Sequence, residues 1–95
     1  MIKINISKDE ITIKGHSGYS VEGSDIVCAS VSSILITTVN ALLSIDEDCI
    51  VYEETDGYLN LKIKKHNEVI DKLINNMINL LKELKEQYKK YIEIR

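Results

Sequence analysis

Ile26, Val27, Val31, Ile34, Leu35, Val39, Leu42 and Leu43 recur at helical spacing. This stripe constrains the chain most, because side chains so placed share one broad helical face, wide enough to be mostly buried. Such a helix needs a cover, and the flanking segments have the pattern to provide it. "IKINI" (Ile2–Ile6) and "ITIK" (Ile11–Lys14) alternate apolar and polar residues, as half-buried strands do, and the polar "SKDE" between them makes a hairpin. "CIVYEET" and "YLNLKIK" flank Asp56-Gly57, a pair whose tolerance of positive φ marks a second hairpin. Val69, Ile70, Leu73, Ile74, Met77, Ile78, Leu81 and Leu84 form a second helical stripe, and "KYIEI" alternates once more as a final strand. The order ββαββαβ predicts an α+β fold, an antiparallel-rich sheet packed with two helices, in one domain over residues 1–95.

Composition narrows the function. The net charge of −3 argues against a nucleic-acid binder, which carries a basic face. The sequence shows no run of about eighteen apolar residues, and "MIKINISKDE" lacks the apolar block of a secretion leader. No membrane role and a cytoplasmic location are therefore expected. There the two cysteines are expected to be thiols rather than a disulfide. An apolar content of 44% supports a real core, although so small a domain gains from a second chain.

The chemistry concentrates in "GHSGYSVEGSDIVCASVSS" (Gly15–Ser33). With Ser24 or Asp25 as N-cap, Cys28 falls in the first helical turn, whose unpaired N–H groups and partial positive charge favour a thiolate. The same N–H groups could hold the oxyanion of an attacked carbonyl. His16, at the end of the second strand, could serve as base to the thiol and acid to a leaving amine. Gly15, Gly18 and Gly23 lend the loop between them freedom to admit an extended substrate. The same spacing equally fits a packed cysteine and a solvated histidine, and it does not decide between them. Cys49 reads as a small buried thiol, His66 as a solvated residue, and "KELKEQYKK" (Lys82–Lys90) as a solvated helix face. His16, Cys28, Cys49 and His66 lack metal-ligand spacing, so neither a metal nor another cofactor is expected.

The segment "GHSGYSVEGSDIVCASVSSILITTVNAL" resembles the signature of the ribosomal-processing cysteine proteases, the Prp family of small bacterial proteins. The shared pattern is Gly-His, a glycine-bearing loop, Asp-Ile-Val-Cys-Ala and a Ser/Thr-rich apolar helix. "DGYLNLKI" (Asp56–Ile63) and "LKEQYKKYIEI" (Leu84–Ile94) extend the resemblance over nearly the whole chain, with Lys89 where the family often has a proline. The resemblance implies a cysteine endopeptidase that removes the N-terminal extension of a large-subunit ribosomal protein, the twenty-seventh. It implies Cys28 as nucleophile, His16 as general acid/base, and supporting or substrate-binding roles for Asp25 and Ser32. It also implies a homodimer. Two other readings keep their place: a non-catalytic peptide-binding module in ribosome assembly, and a hydrolase using the same pair on another acyl or peptide substrate.

Overall fold

The computed structural model describes residues 1–15, 22–55 and 57–95, with 22–25 as backbone only. Its elements follow the order expected from the sequence: β1 (Ile2–Ile6), β2 (Glu10–Lys14), α1 (Glu22–Ile45), β3 (Ile50–Thr55), β4 (Tyr58–Ile63), α2 (Glu68–Gln87) and β5 (Ile92–Ile94). The strands form one sheet in the order β3-β4-β2-β1-β5. All neighbours are antiparallel except β5, which runs parallel to β1.

Alternation fixes the register. Ile4 lies opposite Ile13, Ile11 opposite Leu61, and Ile13 opposite Leu59, so the isoleucines and leucines share one face. A slip of one residue would turn Lys3 and Asn5 inward and every one of these apolar groups outward. That apolar face joins a single core with Val27, Val31, Leu35, Val39 and Leu42 of α1 and with Ile70, Ile74, Met77 and Leu81 of α2. Each such side chain, fully buried, stabilises the fold by roughly 1.5–3 kcal/mol before chain entropy is counted. On the opposite face Lys3, Asn5, Lys14, Val51 and Lys62 remain exposed.

Two expectations about the helices are corrected. The apolar stripe of α1 is buried at Val27, Val31, Leu35, Val39 and Leu42 but not throughout: Ile26 is 54% exposed and Leu43 39%, because the sheet and α2 cover only part of the helix's circumference. Val69 likewise stands outside the buried stripe of α2. The segment Ile26–Ile45 is also apolar and long enough, by length and composition alone, to cross a membrane. Its interspersed serines and threonines hide this from a count of consecutive apolar residues, and its Val27, Leu35 and Leu42 serve the core. Secondly, α1 begins at Glu22 rather than after Ser24 or Asp25. Gly23 and Ser24 are poor helix formers, at a cost of up to about 1 kcal/mol each. The well-anchored helix beyond carries the extra turn.

The sequence reading missed how α2 starts. Asn67 caps it, its side-chain oxygen accepting from the Ile70 N–H at 2.9 Å, an interaction worth about 1 kcal/mol. Beside it His66 is not merely solvated. Its Nδ1 lies 2.7 Å from Asp71 of α2 and its Nε2 2.6 Å from Asp9 of the β1–β2 turn. The hydrogen bond to Asp71, then that to Asp9, raises the imidazole pKa above its ordinary value. A group whose pKa is raised on folding stabilises the fold below its unfolded pKa, near 6.5, and loses that contribution as pH rises through the folded value. His66→Gln should therefore lower the melting temperature most at mildly acidic pH, with the gap from the native chain closing at alkaline pH. A gap that widened toward alkaline pH would refute the clamp.

Candidate active site

Cys28 sits where α1 passes the end of the sheet. It lines a groove of about 430 Å³ whose floor is apolar, from Ile2, Ile13 and Leu59. Cys28, Val31 and Ser32 of α1 form one wall, and Glu54, Thr55, Gly57 and Tyr58 of the β3–β4 hairpin form the other. A wider depression of about 990 Å³ lies between α2 and β5, lined in part by Lys82, Glu86 and Arg95. Among the described residues no thiol or hydroxyl side chain lines it.

Gly15 closes one end of this groove, and glycine is required there. Its φ is +89°, and a Cβ on it would lie 2.6 Å from the Met1 carbonyl oxygen. Its N–H donates to the Gly57 carbonyl at 2.9 Å, tying the end of β2 to the hairpin tip. Gly57 itself takes φ 75°, as the Asp56-Gly57 signal requires, while Asp56 lies outside the described residues.

The four sequence-derived site residues fare differently. Cys28 and Ser32, one helical turn apart, are brought together in the groove, Cys28 partly buried and Ser32 exposed. Asp25 lies on α1 three residues before Cys28, with its side chain outside the described residues. His16 follows Gly15 in the chain and also lies outside them, as does Gly18. The earlier start of α1 corrects the electrostatic argument. Asp25 and Ser24 are helical rather than N-caps, Gly23 is helical rather than part of a loop, and Cys28 is the seventh helical residue rather than the third. Its N–H is therefore not among the unpaired ones, and the dipole effect fades beyond the first turn.

Cys49 is fully buried beside β3, its thiol 3.5 Å from the Leu42 carbonyl oxygen. Burial, and secondarily the charge of Asp46, push its pKa up, which makes it an inert packing thiol. Among the described residues no three His, Cys, Asp or Glu side chains are grouped to hold a metal ion. The hairpin wall was missed from sequence. Asp56-Gly57 announces the turn, but nothing in "VYEETDGY" says that its tip stands against the helix bearing Cys28.

The family model described as cysteine protease Prp matches residues 1–93. The chain belongs to this family. A ribosomal processing cysteine protease Prp of Mycoplasma pneumoniae is 31% identical over 97% of this chain and 91% of its own. That of Staphylococcus aureus is 25% identical over 90% and 83%. A crystal structure of the S. aureus Prp in complex with a substrate peptide superposes with a TM-score of 0.84, covering 99% of this chain and 95% of that one at 21% identity. At that identity the superposition establishes the shared fold, the five-stranded sheet with two helices. Membership in the Prp family makes the chain a member of a family of ribosomal-processing cysteine peptidases.

Proposed function

We propose that the chain is a cysteine endopeptidase that removes the N-terminal extension of a large-subunit ribosomal protein, the twenty-seventh. The observation that carries this reading is Cys28 lining a groove with Ile2, Ile13 and Leu59 in a chain of a cysteine protease family. In the proposed reaction the Cys28 thiolate attacks the scissile carbonyl, and His16, having taken the thiol proton, gives it to the departing amine. Water then cleaves the thioester, releasing the extension and regenerating the thiol. Cys28 is the seventh residue of α1, beyond its first turn, so activation of the thiol is assigned to His16. Ser32 is placed to contact substrate beside Cys28, and Asp25 is assigned a supporting role at the start of α1.

A homodimer in the cytoplasm is the state we propose for it. Exposed Ile26, Ile36 and Leu43 on α1 support a second chain there, and sedimentation at working concentration reads that state directly. The substrate is tested by incubating the protein with the extended ribosomal protein and sequencing the product. One new N-terminus at the extension junction is expected. Peptide binding without any product would instead identify a non-catalytic docking module.

A further inference from the structure

Glu54 breaks the pattern of its strand. Its partner across β4 is Leu59, which places it on the face of the sheet that is otherwise built from Ile2, Ile4, Ile13, Leu59 and Leu61. Along β3 that face grades from buried Ile50 through half-buried Tyr52 to exposed Glu54, so the core runs out into the groove and ends on a carboxylate. The carboxylate is held in place. The Tyr52 hydroxyl donates to its Oε2 at 2.8 Å. Burial, with help from Glu54, pushes the Tyr52 pKa up to about 12, so the donor keeps its proton at any physiological pH. Among the described residues no donor meets Oε1.

No cation neutralises this charge among the ion pairs of the described residues. Lys14, also at this end of the sheet, lies over the Tyr58 ring at 6.0 Å. The groove thus combines an apolar floor with one oriented carboxylate that no cation pairs with among the described residues. Its complement is a long aliphatic stem ending in a cation, whose methylenes lie on Ile2, Ile13 and Leu59 while its head meets the carboxylate.

We infer that Glu54 is a specificity residue that selects a lysine or arginine side chain of the peptide bound in the Cys28 groove. This rests on the peptidase reading for the nature of the ligand, but it is tested by binding alone. Three N-acetylated junction peptides, identical except for Lys, Gln or Glu at one position, are titrated against the Cys28→Ala chain, which cannot turn them over. The position is chosen by a Lys scan. At the best position Lys should bind about tenfold tighter than Gln, in the range of a charge-assisted contact. Glu54→Gln should erase that preference, Glu54→Lys should turn it toward the Glu peptide, and Tyr52→Phe should weaken it. Unaltered preference in both Glu54 variants overturns the assignment, as does failure of all three peptides to bind. If the native chain binds them with this preference yet cleaves none, the peptidase reading fails and the Glu54 assignment stands.

Discussion

Cys28→Ala should lower cleavage of the junction peptide by about 10³-fold or more, the scale seen when a covalent nucleophile is removed. Cys28→Ser should do nearly the same, because the hydroxyl is a far poorer nucleophile at neutral pH than a thiolate, even though its shape is close. The fold should survive both changes. Cys28 is only partly buried and packs at the margin of the core, so loss of its sulfur should change stability by no more than about 1 kcal/mol. The two readouts separate the chemistry from the packing. A melt close to the native one with activity gone places Cys28 in the reaction, while undiminished turnover removes it. Cys49 provides the contrast: fully buried and hydrogen-bonded, its replacement by Ser should be read in the melt rather than in the rate constant.

The largest expected effect on stability outside the core is at Gly15. A side chain there would hold φ near +89° in a region that costs a non-glycine residue about 1–3 kcal/mol. The atom that its Cβ would strike is the backbone carbonyl oxygen of Met1, which leads directly into β1 and cannot swing aside as a flexible side chain would. Adding roughly 1–3 kcal/mol for that overpacking, Gly15→Ala should destabilise the fold by about 2–6 kcal/mol. In a domain of this size each kcal/mol lowers the melting temperature by roughly 4–8 °C. Activity should also fall below the melt, since the Gly15–Gly57 hydrogen bond holds one end of the groove to the hairpin that forms its wall. A Gly15→Ala chain that melts with the native protein would mean that the β2 terminus adapts freely, and the groove's frame would have to be redrawn.

What could be read from the sequence was what is encoded locally. Alternation in "IKINI", "ITIK" and "YLNLKI" and the turn pair Asp56-Gly57 carry the sheet, because a period of two survives wherever one face is buried. The start of α1 could not be read, since Ser24 and Asp25 have the chemistry of a cap while Glu22 and Gly23 offer only a weak helical signal. His66 and Asp9 are 57 residues apart, and no periodicity announces their contact. The same holds for the groove. Cys28 and Ser32 were legible as neighbours on one helical face, but their encounter with Glu54 and Tyr58 is decided by how the second hairpin reaches α1.

The most direct test of the account is the mass of the protein caught during turnover. Acid quenching of a rapid reaction with the junction peptide should yield a chain heavier by the N-terminal fragment less one water, and proteolytic mapping should place that thioester on Cys28. Cleavage that proceeds with no such adduct, or with one on any other residue, would contradict the assignment of Cys28 as the nucleophile.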